Sequence, residues 1–488
     1  MTISKILTVT REFVSDLEHT IRSSDDNDCS VRLASWLARF LFSNSCGIYH
    51  LKGLEDHLAA RLAESLDFTD AAGFSSLHVA SELYMFGGHS RLMRNLLAAA
   101  PQGEPRQVAV TRHVDQVNVA QILGVELCDV TIFSAESEGE RIRNLASYFV
   151  KFEQIILHIH PDDMIAAIAV AIAKSVAPAL KVYFINHSDH TFSAGIGQGD
   201  FVFEVSGYGW SLRNARGTEA RSTFLGIPIV PRAESSDPRH RMVLTGGAAY
   251  KYRPNAGRAL PTALYRILHR DKSARVLAIG PKRSDYWWWI LKIMFPKRFQ
   301  LRERVPHATY LAMLGECRVY VDSYPITGGT GFTEALISGA LVAGIQGGPN
   351  GYGFGDVLRS QNAEEFVEVS LQLLNLDHAA LLAQAGVREA AREFHSLSSV
   401  SQRFFTTLRD GRIVLPPDSI ASFSYDFDFR TAWMTRRVPI CAGFSSMKEL
   451  SILPWIVRAA FRSFGLDRFL GVLFLKLGVA FVRKSRHG

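Results

Sequence analysis

The sequence predicts an α/β protein built from two Rossmann-like domains that face each other across a cleft. Two series of short apolar runs, each alternating with helical patterns, indicate two parallel, doubly wound sheets. A polar segment that contains prolines separates the two series, and glycine clusters follow several of the predicted strands. The chain of 488 residues is long enough for two such domains with helical extensions at both ends.

The composition is that of a folded protein with a basic surface. Hydrophobic residues make up 47% of the chain and charged residues 21%, so extensive disorder is not expected. The net charge of +7 favours ligands that carry negative charge, without choosing among phosphates, nucleic acid and anionic lipid. The five cysteines show no CxxC or CxxH spacing, which argues against disulfides or structural zinc and favours a cytoplasmic location.

Residues 1–75 are predicted to form a helical N-terminal region, because leucines recur at four-residue steps in LEDHLAARLAESL. The first Rossmann-like domain is assigned to residues 76–232. Its predicted strands are LHVAS (77–81), QVAVT (107–111), VTIFS (130–134), IILHI (155–159), KVYFIN (181–186) and FVFEVS (201–206). Helical patterns such as DDMIAAIAVAIAKSV lie between most of them, as expected for a mainly parallel sheet.

The segment FLGIPIVPRAESSDPRH (224–240) has the prolines and polar residues typical of a linker. The second Rossmann-like domain is assigned to residues 241–410, with predicted strands in MVLTGG, RVLAIGP, FQLRERVP, RVYVDSYP and LVAGIQGG. Residues 411–488 are assigned to a C-terminal extension with basic, apolar helices. Ligands of such sheets bind at the carboxyl ends of the strands, so the cleft between the domains is the expected site.

Three turns that lead from a strand into a helix contain glycine clusters. Unpaired N–H groups at a helix start attract phosphate, glycines let it approach the backbone, and Lys251 adds a mobile cation. The alternative is that these glycines only make tight turns. No turn fits G-x-x-x-x-G-K-[ST] or G-x-G-x-x-G, which disfavours a P-loop NTPase and a dinucleotide oxidoreductase. The candidate binding residues are Gly87, Gly88, Gly246, Gly247, Lys251, Thr327, Gly328, Gly329, Thr330, Gly331 and Glu334.

The segment HATYLAMLGECRVYVDSYPITGGTGFTEALISGALVAG resembles the nucleotide-sugar half of GT-B glycosyltransferases. It is most similar to the type found in O-linked N-acetylglucosamine transferases and their bacterial relatives. In that type a strand ending in D-x-x-P leads to G-x-T-T and to a helix that begins with an acidic residue. The residues that fall on this pattern are Asp322, Pro325, Gly328, Thr330, Glu334, Ala335, Leu336 and Gly339. The turns LTGGAAYKY and GGHSR also resemble GT-B turns, on the donor and the acceptor side, and the resemblance spans roughly residues 75–400.

The resemblance implies a metal-independent transferase without a bound cofactor, which uses a UDP- or GDP-linked sugar as donor. The acceptor would be a hydroxyl of a glycan, a lipid-linked molecule or a protein, as in bacterial surface polysaccharide or glycoconjugate synthesis. Residues 327–331 and Lys251 would grip the diphosphate, the turn AIGP (278–281) would lie near the base or ribose, and Glu334 would hold a ribose hydroxyl. Ile326 stands where many retaining enzymes have a glutamate, and Gly331 replaces the second threonine of G-x-T-T. Retention or inversion therefore stays open.

An inverting transferase needs a general base, and histidine suits that role near pH 7. We expect His190 or His187, in INHSDHTF, to be this base, with His89 positioning the acceptor or the donor sugar. The alternative is that they are hydrogen-bonded structural histidines. In LHIHPDD, Asp162 and Asp163 are expected mainly to cap the following helix. A metal at NHSDH is disfavoured, because no third ligand has a clear spacing.

The C-terminal run from residue 451 mixes large apolar residues with arginines and lysines, but no stretch is long and apolar enough to span a bilayer. Such a segment favours peripheral contact with the inner face of a membrane, and the alternative is a helix packed on the domain core. The tryptophans at 287–289 point in three directions on a helix, so at least one is expected in the core.

Two other functions are compatible with the same pattern. A nucleotide-sugar epimerase shares the double-Rossmann architecture, and a catalytically inactive GT-B module could act as an assembly or binding partner. Nucleic-acid binding is not expected, because the positive charge concentrates at the tail and no aromatic residues interleave it on a recognisable reading element.

Overall fold

The computed structural model describes residues 3–63, 74–83, 88–100, 106–112, 122–123, 129–133, 137–229, 241–255, 257–303, 305–348, 351–421 and 447–464. Gly87, most of the predicted linker and the chain after residue 464 lie outside these ranges. The chain divides into two compact units. Unit 1 comprises Met1–Phe203, Leu212–Ser222 and Trp433–Gly488, and unit 2 comprises Glu204–Ser211 and Thr223–Ala432. The four domain bounds given above stay a prediction.

The sheet of unit 1 has seven strands in the order β3-β2-β1-β4-β5-β6-β7. They are β1 (Phe74–Ala80), β2 (Gln107–Val110), β3 (Asp129–Ile132), β4 (Phe152–His158), β5 (Lys181–Asn186), β6 (Phe201–Glu204) and β7 (Ser222–Phe224). The pairs from β3 through β5 are parallel, and all six predicted strands of this domain are confirmed. The sequence analysis missed β7, because three residues are too few for a pattern. The boundary between the units falls within β6 and β7.

The described helices of unit 1 confirm the predicted helical regions at both ends of the chain. They are α1 (Ile3–Ser23), α2 (Asn27–Ser43), α3 (Lys52–Ala63), α4 (Gly88–Ala98), α5 (Glu138–Phe149), α6 (Met164–Val176) and, near the C-terminus, α16 (Leu453–Phe464). Ten successive residues of α6, 164–173, are buried, because α2, α3 and α5 pack against this helix. The N-terminal helices therefore cover an apolar helix that the sheet alone would leave exposed.

Helix α16 packs against α1. Its inner face includes the buried residues Ile456 and Ala459, and Ser463 Oγ donates to Asp16 Oδ2 at 3.2 Å. Just before it, Glu449 accepts two hydrogen bonds from Arg39, at 2.9 and 3.0 Å. The core-packing alternative for this helix is thus observed. Within the described ranges no helix has the length and apolar character needed to cross a membrane.

Unit 2 contains a sheet of six parallel strands in the order β10-β9-β8-β11-β12-β13. They are β8 (Met242–Gly246), β9 (Arg275–Ile279), β10 (Phe299–Arg302), β11 (Val319–Val321), β12 (Leu341–Ile345) and β13 (Arg359–Ser360). The five predicted strands are confirmed, and only the two-residue β13 was missed. The predicted fold class, two parallel α/β sheets with helices at both ends of the chain, is therefore confirmed.

In unit 2 one helix follows each of the strands β8 to β11, and the described helices after β13 follow one another directly. The helices of this unit are α7 (Gly207–Ser211), α8 (Leu260–Arg270), α9 (Trp289–Met294), α10 (His307–Glu316), α11 (Gly329–Ile337), α12 (Ala363–Leu374), α13 (His378–Phe394), α14 (Leu397–Asp410) and α15 (Asp418–Ala421). Side-chain caps mark several starts, as where Asn362, Asp377 and Ser396 accept hydrogen bonds from first-turn N–H groups. Gly411 ends α14 with a φ of 63°, which glycine adopts without strain.

Both sheets have a topological switch point beside their first strand. In unit 1 the chain builds outward from β1 to β2 and β3, and then returns to β4 on the other side of β1. In unit 2 it builds from β8 to β10 and returns to β11. Ligands of open parallel sheets bind at such points, outside the carboxyl ends of the strands. Each unit therefore offers one preferred position for a site.

Candidate functional site

The switch point of unit 2 brings two of the predicted glycine turns together. The turn after β8 continues into a 3₁₀ turn, Ala249–Tyr252, and the turn after β11 leads into α11. Lys251 Nζ donates to the carbonyl oxygen of Thr327 at 2.9 Å, and Ile326 N donates to the carbonyl oxygen of Lys251 at 3.3 Å. The first N–H groups of a helix have no partner within it. A cation therefore lies beside the positive end of α11, an arrangement suited to an anion.

A buried ionic network holds the turn after β11 in shape. Both carboxylate oxygens of Asp322 accept a hydrogen bond from Gly328 N at 3.0 Å, and Asp322 forms an ion pair with Arg359 at 2.7 Å. Arg359 also pairs with Asp356 at 2.5 Å. Burial raises the pKa of Asp322, while the charges of Arg359 and Lys251 oppose that shift. Asp322 thus acts through the backbone, since it fixes the residue that precedes α11.

Tyrosine side chains occupy the space beside three of the candidate glycines. A Cβ atom added to Gly246 would lie 2.7 Å from the ring of Tyr310, and one added to Gly329 would lie 2.5 Å from the ring of Tyr352. A Cβ atom on Gly331 would lie 2.9 Å from the hydroxyl of Tyr320. We expected these glycines to leave the backbone accessible to a ligand. On the side where a Cβ atom would lie, this expectation is wrong, because a tyrosine side chain occupies that space.

The other candidates of unit 2 lie around the same turns. Gly280, in AIGP, has a φ of 103°, and an added Cβ atom there would overlap the carbonyl oxygen of Gly247. Only glycine can let the turn after β9 approach the turn after β8 this closely. Thr327 and Glu334 are buried, whereas Thr330 is partly exposed in the first turn of α11.

The switch point of unit 1 holds a cluster of four histidines. His78 Nδ1 lies 3.1 Å from His158 Nε2, and His158 Nδ1 lies 3.3 Å from His187 Nε2. The ring of His89, in the first turn of α4, lies 4.2 Å from the ring of His187, and its Nε2 donates to the carbonyl oxygen of His158. The structure thus brings together two of the predicted histidines, His89 and His187. Gly88, predicted with them, begins α4.

Burial keeps this histidine cluster uncharged. It lowers the pKa of His78 and of His89 to about 4, and it lowers the pKa of His158 and His187 well below the usual value. Neighbouring histidines add to the shift at His158 and His187. At neutral pH these rings therefore exchange hydrogen bonds as neutral imidazoles.

His190, the third predicted histidine, has a carboxylate neighbour. Its Nδ1 lies 3.3 Å from Oδ1 of Asp189, and about a quarter of its side chain, 24%, is exposed. Asp189 is buried, and Arg216 donates to its carbonyl oxygen. A carboxylate beside a partly exposed imidazole can orient the ring.

The acidic pair in LHIHPDD has two different roles. Asp163 caps α6 by accepting from Ala166 N at 3.1 Å, which confirms the capping prediction for this residue. Asp162 instead pairs with Arg112 at 2.6 Å and with His160 at 2.5 Å. Burial would raise the pKa of Asp162, but these two partners outweigh it and lower that pKa. Among the described residues, no three or more His, Cys, Asp or Glu side chains are arranged to hold a metal ion.

Sequence analysis missed two groups that shape these sites. His78 lies inside a predicted strand, and the sequence does not show which residues of other strands it contacts. Arg359 follows no motif, and its spacing of three residues from Asp356 is common to many surface ion pairs.

No protein-family model matches the chain, and no curated protein matches it by sequence. Solved structures do match it. A mutant of the O-GlcNAc transferase of Thermobaculum terrenum superposes with a TM-score of 0.53 at 15% identity, over 83% of this chain and 81% of that chain. Anabaena HepE in complex with UDP gives a TM-score of 0.53 at 11% identity, over 69% of this chain and 100% of that chain.

A third match is the apo form of the lipopolysaccharide outer core galactosyltransferase WaaB, with a TM-score of 0.51 at 12% identity, over 69% of this chain and 100% of that chain. The chain has the GT-B glycosyltransferase fold. The resemblance drawn from the DSYPITGGTG segment is thus confirmed at the level of fold. In GT-B terms, unit 2 contains the segment that resembles the donor half, and unit 1 contains the GGHSR turn.

Proposed function

We propose that the chain is a glycosyltransferase, which moves a sugar from a nucleoside diphosphate donor to a hydroxyl of a glycan, a lipid-linked molecule or a protein. The observation that supports this most directly is the 2.9 Å contact between Lys251 Nζ and Thr327 O at the start of α11. It joins a cation to a helix N-terminus at the switch point of a GT-B sheet. Anabaena HepE, of the same fold, has been solved with UDP and with UDP-glucose.

In this proposal the donor diphosphate is held by the N–H groups of residues 329–331, by the threonines of residues 327–331, by the turn at Gly246 and Gly247, and by Lys251. These groups are preorganised by the Asp322 network, so they need no rearrangement as charge develops on the leaving diphosphate. Glu334 holds a ribose hydroxyl. Because the ring of Tyr352 lies against Gly329, the donor contacts α11 through its N–H groups and not through the Cα side of that glycine.

We assign the general base to His190. Its neighbour Asp189 is a buried carboxylate, and its own ring is partly exposed, so an acceptor hydroxyl can reach it. His187 is less suited, because its Nε2 is engaged by His158 and burial lowers its pKa well below the usual value. His89 positions a substrate hydroxyl, and the reaction proceeds with inversion.

We also propose that the C-terminal region places the enzyme at the inner face of a membrane, near a lipid-linked acceptor. The outer face of α16 exposes Trp455, Arg458, Phe461 and Arg462, an aromatic and basic surface, while its inner face packs on unit 1. The double variant Trp455→Ser, Phe461→Ser, which removes two exposed side chains of this outer face, should shift from the membrane fraction to the soluble fraction. An unchanged distribution would contradict this part of the proposal.

The test of sugar transfer is a thermal-shift screen of the full chain against UDP, GDP, CDP and their sugars, followed by turnover with the stabilising donor. A nucleotide that binds only the folded state raises the melting temperature, by an amount that grows with its concentration relative to Kd. Stabilisation followed by sugar transfer to an acceptor would support the proposal. Release of an epimerised sugar without any acceptor would identify an epimerase, and no stabilisation by any nucleotide would indicate an inactive module.

A further inference from the structure

Unit 2 exposes an apolar helix face that the proposed reaction does not use. A 3₁₀ turn, Tyr286–Trp288, runs directly into α9. When residues are counted from Tyr286, large apolar side chains recur at positions one, four, five, eight and nine. This is the spacing of a single helix face. These side chains, which are between 49% and 71% exposed, are Tyr286, Trp289, Ile290, Ile293 and Met294.

The opposite face holds this stretch firmly in the core. Trp288 and Leu291 are fully buried, which confirms the prediction that at least one of the three tryptophans lies in the core. The ring of Trp288 stacks on Phe299 at 5.8 Å and meets Tyr252 edge-on at 5.3 Å. The apolar face is therefore a fixed surface of unit 2, and its exposure does not come from a loosely packed segment.

Basic residues flank this apolar face along the chain. The stretch from 282 to 298 contains five basic residues and one acidic residue, Asp285. Asp285 is engaged locally, since its carboxylate accepts a hydrogen bond from the backbone N–H of Lys282 at 2.8 Å. The basic residues are Lys282, Arg283, Lys292, Lys297 and Arg298. A second copy of the chain placed on this face by twofold symmetry would bring two such groups of like charge together, which disfavours a dimer.

We propose that the face formed by Tyr286, Trp289, Ile290, Ile293 and Met294 is a docking surface for an anionic lipid bilayer. Tryptophan and tyrosine favour the interfacial region of a membrane, and isoleucine and methionine insert below the headgroups. The lysines lay their apolar stems along the surface and keep their charges among anionic headgroups. One short helix face gives weak, reversible binding, so the charge contribution is needed as well.

This surface does not depend on sugar transfer, and it lies in the other unit from the C-terminal tail. The test is cosedimentation of the full chain with vesicles, made either of phosphatidylcholine alone or of phosphatidylcholine with phosphatidylglycerol. The double variant Trp289→Ser, Ile293→Ser should bind the anionic vesicles at least about tenfold more weakly, because it removes two inserted side chains. Both side chains are exposed, so its melting temperature should equal that of the parent.

The matched control is Leu382→Ser, Leu415→Ser, which removes two leucines of unit 2 that are 61% and 69% exposed and lie outside the surface. It should bind vesicles as the parent does. A second variant, Lys292→Gln, Lys297→Gln, should weaken binding to the anionic vesicles by roughly fivefold per lysine at low salt and much less at high salt.

Equal vesicle binding by the parent and the Trp289, Ile293 variant would overturn the proposal, as would equal binding to both kinds of vesicle. A parent dimer that this variant dissociates, with vesicle binding unchanged, would assign the face to a contact between copies and would also overturn it. The nucleotide-induced thermal shift is measured on the same samples. If no nucleotide raises the melting temperature, the proposed sugar transfer is contradicted, but the conclusion from vesicle binding is unaffected.

Discussion

The two switch points occupy the same place in their sheets and have opposite chemistry. Beside β1 and β4, unit 1 gathers imidazoles that burial keeps neutral, led by the pair His78 and His158. Beside β8 and β11, unit 2 gathers permanent charges, with Lys251 at a helix start and Arg359 between two carboxylates. Topology therefore determines where a site forms, and the side chains at the strand ends determine what it can do.

The two units differ in how their buried ionisable side chains are stabilised. Burying an isolated charge costs much free energy, so a buried histidine without a counter-charge stays in its neutral form. The rings of His78, His158 and His187 contact one another, whereas Arg359 faces Asp322 and Asp356. The cluster of unit 1 therefore consists of neutral imidazoles, whereas the network of unit 2 consists of paired charges.

The largest expected effect separates proton transfer in unit 1 from donor binding in unit 2. His190→Gln should lower kcat by roughly 10²–10⁴-fold, the usual contribution of a general base. The thermal shift produced by the nucleotide should be unchanged, because the proposed donor-binding groups lie in unit 2. Steady-state kinetics beside the thermal-shift assay measures both quantities.

The control is His378→Gln, which changes an exposed histidine at the start of α13 and should leave kcat unaltered. If His190→Gln retains full turnover and His187→Gln does not, the base is His187. Full turnover in both variants would remove the proposed base from unit 1.

The next effect concerns the buried charges of unit 2. Arg359→Met leaves the carboxylates of Asp322 and Asp356 buried without their shared partner, so the free energy of unfolding should fall by about 3–5 kcal/mol. Chemical denaturation followed by circular dichroism measures this loss. Arg412→Met, which breaks an exposed pair with Asp410, should be indistinguishable from the parent. Equal stability of the two variants would show that the network does not stabilise unit 2.

A smaller effect is expected when one charge at the helix start is removed. Lys251→Met should weaken nucleotide binding by about 10- to 100-fold, the range for losing one charged hydrogen-bond donor. Lys272→Met removes an exposed lysine of the same unit and should bind nucleotide normally. Titration calorimetry with the nucleotide found in the screen gives both constants. Normal binding by Lys251→Met would place the diphosphate elsewhere.

Much of the fold could be predicted because its signals are local. The runs KVYFIN and RVLAI are strands in the structure, since continuous apolar stretches bounded by polar residues are typical of buried parallel strands. The two strands that were missed, β7 and β13, have three and two residues, and only tertiary contacts define them. Sequence periodicity has nothing to detect at that length.

The candidate site was predictable only where chain neighbours form it. The turn from Asp322 to Gly331 is one continuous segment, so its pattern is visible in the sequence. The contact of His78 with His158, and that of Arg359 with Asp322, join residues far apart in the chain, and such contacts depend on strand order. The tyrosines beside the glycines were missed for the same reason, which is why the backbone was expected to be bare.

The smallest expected effect is a dependence of stability on pH that originates in unit 1. The pKa of His78 is about 4 in the folded chain and has its ordinary value of about 6.5 when the chain unfolds. The unfolded chain therefore binds the proton first, so the stability present above about pH 6.5 is lost as the pH falls toward 4. Between pH 7 and pH 5 the loss from this residue should be about 1–2 kcal/mol, in a range where ordinary carboxylates have not yet gained protons.

His78→Gln removes the titrating ring, so this variant should lose less stability than the parent between pH 7 and pH 5, even if it is less stable at pH 7. Denaturant unfolding at several pH values measures the two slopes. Because the pKa shift of His78 comes from burial, the difference between the slopes should persist at high salt, whereas a contribution from surface charges would be screened. Parallel slopes for the two proteins would mean that the neutral imidazoles of unit 1 do not oppose unfolding in the way that the paired charges of unit 2 do.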